Sequence, residues 1–355
     1  MTVLHLEPQA RRPRIAVIGT GGTFAMHGRH RFDWIEYADS GVIHPIGDLL
    51  GQLGELAPQA EIVPIPFRSL GSVSIGPSDW LELARLVRDT AAADPDLTGF
   101  VITHGTATLE ETAWFLDLAL SLEQPVVLTG AQRPANTDGS DAAANLRDAM
   151  AVAAEPKSRG AGVLVVMGGL VFPPRDVTKA ASFELAAFEA PPYGPLGRID
   201  ADSRVVYRRL MPRGERLCTK LFAEVLEEGR PLPRVDISHS YAGADGTAIR
   251  GFVAAGARGV VCAGLPPGRV AAGERAAILE AVDSGVVVVQ STRSARGLVL
   301  RQRFLAADGM LAGGDLAPQK LRIALMLLLA VRDSAGHDPQ TRLGNEELEA
   351  CLLDM

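Results

Sequence analysis

Short apolar runs rich in β-branched residues alternate with longer Ala- and Leu-rich segments over the N-terminal two-thirds of the chain. The strand-like runs are IAVIG at 15–19, FVITHG at 100–105, PVVLTG at 125–130 and GVLVVMGG at 162–169, and the helix-like segments between them span 78–93, 109–122 and 142–154. This alternation is typical of a parallel β-sheet covered by helices on both faces. Because the strand-like runs are apolar throughout, we expect them to be buried on both sides. The pattern predicts an α/β fold with a flavodoxin-like sheet.

A second region of the same kind follows a break in this pattern. Residues 191–234 contain PPYGPLG, a predicted hairpin through DADSR at 200–204, and an Arg-rich stretch that ends in GRPLPR. Strand-like runs then resume at 235, with helices predicted over 246–256, 271–283, 318–333 and 344–353. We therefore predict an N-terminal catalytic domain over 1–207, a linker over 208–232 and a smaller C-terminal α/β domain over 233–355.

Composition and charge narrow the classes of partner. The formal net charge of −7 argues against a nucleic acid or an anionic membrane as partner, because such binding depends on clustered Lys and Arg. The most apolar run, 323–331, is far shorter than the roughly 20 residues that cross a bilayer, so we predict a buried helix there. The N-terminal charges follow a very short apolar stretch, the reverse of a secretory signal peptide, and we expect a cytoplasmic protein.

Cysteines and histidines do not follow the pattern of a metal site. Cys218, Cys262 and Cys351 are far apart and lack the spacing of metal ligands, which also argues against a disulfide framework. His104 ends a predicted buried strand, and we interpret it as a hydrogen-bonded core group. We expect neither a metal nor a cofactor.

Glycines and threonines end two of the predicted strands, at GTGGT (19–23) and HGTAT (104–108). Ligands of open α/β sheets bind at the carboxyl ends of strands, and the first turn of a helix favours negative charge. GTGGT lacks the third glycine of a dinucleotide-binding turn, so a nicotinamide-dependent oxidoreductase is only a distant alternative. HGTAT also has a purely structural interpretation, in which Thr106 or Thr108 caps the helix and Glu111 completes a capping box with Thr108.

One lysine lies in a proline-led, non-helical segment. Lys179 ends RDVTK at 175–179, and partial burial there would lower its pKa enough for it to act as a base towards a threonine hydroxyl. The alternative is that Lys179 is a partner in a surface salt bridge.

Taken together, these segments resemble the bacterial-type L-asparaginase family. The resemblance is carried, in order, by GTGGTF at 19–24, VITHGTATLEETAWFLDL at 101–118, VVLTGAQRP at 126–134, RDVTKA at 175–180 and YGPLG at 193–197. It implies a two-domain α/β amidohydrolase without a cofactor, a homo-oligomer that is usually a tetramer built from dimers. In such an enzyme a threonine attacks a side-chain amide and ammonia leaves.

The resemblance assigns roles to four catalytic side chains. Thr23 matches the primary nucleophile, and Tyr37, from a mobile lid, matches the tyrosine that activates it. Thr106 and Lys179 match a second threonine and its lysine, which act on the attacking species or on a water molecule.

Three further positions match substrate-binding groups of the family. Gly22 and Gly105, with nearby backbone N–H groups, match the oxyanion hole, where one donor is worth about 3 kcal/mol. Ser72 matches the serine that holds the α-carboxylate of the substrate.

The sequence departs from the family where the α-ammonium of asparagine is held. Ala107 follows the second threonine in place of an aspartate, and Val73 follows Ser72 in place of a glutamine. Gly243 replaces an asparagine, and STRSARGLVLRQRF at 291–304 has no acid. Because a buried ammonium without partners loses hydration worth several kcal/mol, we predict poor activity on free asparagine and a carboxylated amide whose α-amine is absent or blocked.

Three questions stay open at this level. Arg293 or Arg296 contacts a substrate carboxylate or pairs with acids at a subunit interface. Asp176 or another group takes over the orientation of Lys179 that the aspartate provides in the family. The alternative function is a small-molecule binding protein that keeps the fold and has weakened or lost catalysis.

Overall fold

The computed structural model describes residues 12–53, 60–209, 219–229, 231–334 and 343–355. The N-terminal half is built on a sheet whose eight strands lie in the spatial order β10-β9-β6-β5-β4-β3-β1-β2. These strands are β1 (Arg14–Gly21), β2 (Glu61–Leu70), β3 (Leu97–Thr103), β4 (Val126–Thr129), β5 (Val163–Met167), β6 (Leu170–Phe172), β9 (Gly197–Ile199) and β10 (Val205–Tyr207). A separate two-stranded ribbon joins β7 (Thr178–Lys179) to β8 (Phe188–Glu189).

Four helices cover this sheet: α1 (Ile46–Leu53), α2 (Pro77–Ala93), α3 (Leu109–Ala119) and α4 (Ala142–Ala154). Strands β1 to β5 pair in parallel, whereas β6, β9 and β10 pair antiparallel. The predicted hairpin through 200–204 is therefore confirmed as the β9–β10 turn. The helix predicted over 109–122 ends earlier, at Ala119.

Burial on both faces of the sheet follows from the two-residue repeat of a strand. In β1, Ala16 and Ile18 belong to one hydrophobic cluster and Ile15 and Val17 to another. The first cluster includes side chains of α2 and α3, and the second those of α1 and α4. The predicted α/β sheet with helices on both faces is confirmed.

The C-terminal half has a smaller parallel sheet, in the order β11-β12-β13-β14. Its strands are β11 (Val235–His239), β12 (Gly259–Gly264), β13 (Val287–Thr292) and β14 (Leu311–Ala312). Its helices are α6 (Thr247–Ala254), α7 (Arg275–Asp283), α8 (Arg303–Ala307), α9 (Pro318–Ser334) and α10 (Asn345–Asp354), preceded by α5 (Thr219–Glu228). The predicted linker lies partly outside the described residues, and the boundaries at 207 and 233 stay a prediction.

The predicted buried helix at 323–331 is confirmed as the middle of α9. Ile323 and Leu327 are fully buried, in the same hydrophobic cluster as Trp114 and Phe115 of α3. The Trp114 indole N–H also donates to the carbonyl oxygen of Lys320, at 3.0 Å. Helix α9 therefore packs between helix α3 of the N-terminal half and strands β11, β12 and β13 of the C-terminal sheet.

His104 is the hydrogen-bonded core group that the sequence predicted. Its ring is fully buried, with Nδ1 2.8 Å from the Gly105 carbonyl oxygen and Nε2 3.0 Å from the Thr112 hydroxyl. Burial lowers the pKa of His104 to about 4. The ring is therefore neutral at physiological pH.

Candidate active site

The loops that follow β1 and β3 approach each other more closely than side chains allow. A Cβ atom on Gly22 would lie 2.2 Å from the Gly105 Cα atom, and one on Gly105 would lie 2.5 Å from the Ser72 Cβ atom. Gly22 also has a φ of +72°, in the region that favours glycine. Since Thr23 follows Gly22 and Thr106 follows Gly105, this contact brings the two threonines and Ser72 to one edge of the sheet.

Thr23 contacts the one tyrosine of the following loop. The hydroxyl oxygens of Thr23 and Tyr37 are 2.8 Å apart, and Thr23 is buried. Tyr37 begins a short 3-10 turn, Tyr37–Ser40. The structure therefore brings together the first predicted pair.

The loop that carries Tyr37 is tied to the segment after β4. The Gly28 N–H donates to Asn136 Oδ1 at 2.8 Å, and Asn136 Nδ2 donates back to the Gly28 carbonyl oxygen at 2.7 Å. Arg31 forms an ion pair with Asp138. These contacts hold the loop over the edge of the sheet that carries Thr23.

Thr106 contacts the predicted lysine. Lys179 Nζ donates to Thr106 Oγ1 at 2.7 Å, so Lys179 is a partner of a hydroxyl in the site. Lys179 is half-buried, and burial lowers its pKa, an effect that the negative charge of Asp141 opposes. A lowered pKa increases the fraction of neutral amine, the form that can accept a proton.

Asp141 is a residue that the sequence analysis missed. Its carboxylate accepts the backbone N–H groups of Gln132 and Arg133, at 3.0 and 3.1 Å, and the Asn145 amide at 2.9 Å. Asp176, the candidate for orienting Lys179, instead forms an ion pair with Arg175 at 3.0 Å. The available signal was the position of Asp141 just before helix α4, after a strand that ends at the same edge.

The two apolar residues that replace polar residues of the family, Val73 and Ala107, directly follow Ser72 and Thr106 in the chain. Val73 is 84% exposed, and Ala107 is exposed as well. The Thr108 hydroxyl donates to the Ser72 carbonyl oxygen at 2.8 Å and so joins the two loops. That hydroxyl makes no capping bond to helix α3, so the predicted capping box with Glu111 is wrong.

The oxyanion donor expected at Gly22 is already engaged. The Gly22 N–H donates to the Leu70 carbonyl oxygen at 2.9 Å, so an oxyanion would have to compete with that carbonyl for it, and the predicted role of Gly22 in substrate binding stays a prediction. The N–H groups of Thr23, Gly105 and Thr106 have no carbonyl partner among the described residues. These three N–H groups are therefore free, within the described part of the chain, to form an oxyanion hole.

Arg293 and Arg296 lie away from the two threonines. Both line a cavity of about 410 Å³ between the domains, whose walls include Thr178 but neither Thr23 nor Thr106. Arg293 Nη1 donates to the Ser240 carbonyl oxygen at 3.1 Å. These arginines therefore share a cavity wall with Thr178, the neighbour of Lys179.

Three properties of the described residues bear on the requirements of a metal site, of a reactive cysteine and of a membrane-spanning helix. No group of three or more His, Cys, Asp or Glu side chains within them could hold a metal ion. Cys262 and Cys351 are buried, and Cys218 lies outside the described part of the chain. None of the described helices is long and apolar enough to cross a membrane.

The fold and the site define a two-domain α/β protein with two threonines, a tyrosine and a lysine at the carboxyl edge of its larger sheet. Residues 14–212 match the family described as Asparaginase, N-terminal, and residues 234–337 match the Glutaminase/Asparaginase C-terminal domain. The chain belongs to the asparaginase family and is an asparaginase-like amidohydrolase. The predicted resemblance is confirmed.

Known proteins similar to this chain carry asparaginase and glutaminase names. The chain is 37% identical to the probable periplasmic L-asparaginase of Haemophilus influenzae, with 89% of this chain and 88% of that protein covered. It is 32% identical to the glutaminase-asparaginase of Pseudomonas fluorescens biotype A, with 92% and 88% covered. The solved structure of a probable cytoplasmic L-asparaginase from Campylobacter jejuni matches with a TM-score of 0.84 and 29% identity, covering 97% of this chain and all of that one.

Proposed function

We propose that the chain hydrolyses the side-chain amide of a small carboxylate that has no free α-ammonium group, and that free asparagine is a poor substrate. The observation that carries this proposal combines two features. Thr23 contacts the Tyr37 hydroxyl and Thr106 contacts the Lys179 amine, whereas the side chains at 73 and 107 are uncharged. The first feature supports amide chemistry. The second leaves an ammonium without a partner beside Ser72.

In the proposed reaction, Thr23 Oγ attacks the amide carbon as its proton passes to the Tyr37 oxygen, 2.8 Å away, and the Tyr37 hydroxyl releases its own proton towards the amide nitrogen. The backbone N–H groups of Thr23, Gly105 and Thr106 stabilise the negative charge on the carbonyl oxygen. The C–N bond breaks, the proton is delivered to nitrogen, and ammonia leaves an ester on Thr23. A water molecule, deprotonated by Lys179 through Thr106, then hydrolyses that ester and restores Thr23.

The preference against asparagine follows from the cost of burial. Val73 and Ala107 are exposed in the chain without substrate, so the cost arises when bound substrate displaces the water there, and an ammonium without a carboxylate or amide partner then loses hydration worth several kcal/mol. A hydrogen atom or an acylated nitrogen at the same position loses much less, and Val73 and Ala107 offer it an apolar surface.

The test is ammonia release from four probes: asparagine, glutamine, succinamate and N-acetylasparagine. We expect a higher kcat/KM for succinamate or N-acetylasparagine than for asparagine. The variant Thr23→Ala is the control for contaminating activity. A kcat/KM that is highest for asparagine would overturn the proposed preference while leaving the reaction class intact.

The alternative function, a binding protein without catalysis, is not favoured. The relatives are L-asparaginases and glutaminase-asparaginases. The two contacts that the proposed catalysis needs, Thr23 with Tyr37 and Thr106 with Lys179, are both present. Loss of ammonia release from every probe, together with saturable binding of one, would support the alternative.

We also propose a homo-oligomer, with a tetramer as the expected form, and a cytoplasmic location. Exposed apolar side chains on the segment after β13 support association: Leu298 is 51% exposed and Leu300 is 58% exposed. Light scattering coupled to size exclusion tests the first proposal. Cell fractionation tests the second, on which the named relatives differ.

A further inference from the structure

The backbone that carries Lys179 has little support from its own ribbon. Strand β7 has two residues and, among the described strands, pairs with β8 alone. The Lys179 backbone N–H is instead donated to Glu110 Oε2, at 2.9 Å. Glu110 is the second residue of helix α3, four positions after Thr106, so one short segment holds both the hydroxyl and the backbone of the lysine that contacts it.

The Glu110 carboxylate is in turn held by the C-terminal domain. Its second oxygen, Oε1, accepts the side-chain amide of Gln319 at 3.0 Å, and Glu110 itself is buried. Gln319 is the second residue of helix α9. Both carboxylate oxygens therefore have a fixed partner, one in each domain.

The next residue of α9 strengthens the same junction. Lys320 is fully buried, and its ammonium donates to the carbonyl oxygens of Glu110 and Pro174, at 2.6 and 2.7 Å. Pro174 lies five residues before Lys179. Lys320 thus joins the start of helix α3 to the turn that leads into the strand of Lys179.

Burial of this ammonium costs free energy that only well-placed partners offset. Burial lowers the pKa of Lys320 to about 8, opposed first by the negative charge of Glu110. A buried charge needs partners with good geometry to offset its lost hydration. The two carbonyl oxygens that accept from Lys320 belong to different segments. They can both bind the ammonium only while these two segments stay in the same relative position.

We propose that Gln319 and Lys320 are positioning residues for Lys179, acting through Glu110 and Pro174, so that the C-terminal domain sets the geometry of the lysine that contacts Thr106. This inference rests on the proposed function for the role of Lys179. None of the three side chains of Glu110, Gln319 and Lys320 is assigned a contact with substrate. Their effect is therefore on the rate of turnover and not on substrate binding.

The kinetic test compares Gln319→Leu, Glu110→Ala and Glu110→Gln on succinamate and N-acetylasparagine. We expect Gln319→Leu and Glu110→Ala to lower kcat by about tenfold or more, since small displacements of a catalytic group are costly, with kcat/KM, which reports the steps up to ammonia release, within about twofold of its original value. Glu110→Gln retains most of the rate, because its amide oxygen still accepts the Lys179 N–H and the Gln319 amide can turn to accept in its place. The matched control is Gln52→Leu, at an exposed glutamine of helix α1.

A second readout does not need turnover. Hydrogen exchange of the Lys179 amide reports the bond to Glu110 directly, and we expect faster exchange in Gln319→Leu and Glu110→Ala but not in Gln52→Leu. Lys320→Met is expected to behave like Gln319→Leu, and if it does not fold, the two other variants carry the test.

Each outcome separates this inference from the proposed function. Unchanged kcat and unchanged exchange in Gln319→Leu and Glu110→Ala, with Lys179→Met inactive, would overturn the positioning role and leave the proposed function standing. Absence of ammonia release from every amide by the unmodified protein would overturn the proposed function, and the exchange of the Lys179 amide would then decide the positioning role alone. A lower Tm with unchanged kcat would show that the contacts are only structural.

Discussion

The hydroxyl groups of Thr23 and Tyr37 lie 2.8 Å apart, joined across a loop in which Tyr37 follows Thr23 by 14 positions. A phenol at this distance can take the proton of the attacking threonine while it passes its own proton on towards the leaving nitrogen, and proton transfer by a positioned side chain is worth about 10²- to 10⁴-fold.

The first prediction concerns this pair. Tyr37→Phe is expected to lower kcat on the preferred amide by about 100-fold or more, with a folded protein, and Thr23→Ala to abolish turnover. Tyr207→Phe is the matched control, since Tyr207 bonds Ser158 away from the site. A Tyr37→Phe variant with full kcat would show that another group accepts the proton.

A second prediction follows from the contact between the two glycine loops. Gly105→Ala places a Cβ atom 2.5 Å from the Ser72 Cβ atom and 3.0 Å from the Gly22 Cα atom. We expect a loss of about 1–3 kcal/mol of stability from overpacking and a large loss of kcat/KM, measured by denaturant unfolding and ammonia release. Gly47→Ala is the control, because a Cβ at Gly47 meets no atom within 4 Å.

A third prediction concerns pH. The pKa of Lys179 is lowered by burial and raised by the charge of Asp141. Because the neutral amine accepts the proton of the water that hydrolyses the ester, kcat rises with pH through this pKa, and Asp141→Asn moves that rise to lower pH. Asp148→Asn, on the same helix, leaves the midpoint in place. A shift to higher pH in Asp141→Asn would contradict the assigned electrostatics.

A fourth prediction restores the missing ammonium partners. The double variant Val73→Gln with Ala107→Asp is expected to raise kcat/KM for asparagine relative to succinamate by about tenfold or more, as a carboxylate offsets part of the lost hydration. Val73→Gln with Ala107→Asn provides the same size without the charge. Equal ratios in both double variants would mean that the charge at 107 does not determine selectivity.

A fifth prediction uses the buried ring of His104. Its pKa is about 4 in the folded chain against 6.5 for an ordinary histidine, so the unfolded chain binds more protons between these values. Stability is therefore intact above pH 6.5 and falls as the pH drops towards 4, by about 3 kcal/mol for this group. Unfolding free energies measured from pH 7 to 4.5 check it, and His104→Gln is expected to flatten the slope.

The sequence predicted the parts of the fold and site that depend on local pattern. IAVIG at 15–19 reads as a buried strand because every residue is apolar, and GTGGT after it marks a strand end where a backbone can approach another closely. Thr23 and Thr106 could be placed at one edge for this reason. Tyr37 came only from the family resemblance, whereas Lys179 was already a candidate base from its proline-led segment and the resemblance matched it to Thr106.

Contacts between distant segments could not be predicted in the same way. Glu110 and Gln319 are 209 positions apart, and neither lies in a pattern that distinguishes it from a solvated helix residue. Asp141 resembles an ordinary residue before a helix until the fold brings its charge near Lys179. The engaged N–H of Gly22 is likewise visible only once β2 lies beside β1.

Helix α9 has a consequence for how the chain comes apart. Ile323 and Leu327 lie in one continuous hydrophobic cluster with Trp114 and Phe115, so separating the halves would leave a large apolar surface in water. Heating is therefore expected to melt both sheets in a single cooperative transition. Neither half, excised alone, would be expected to survive as a stable fragment.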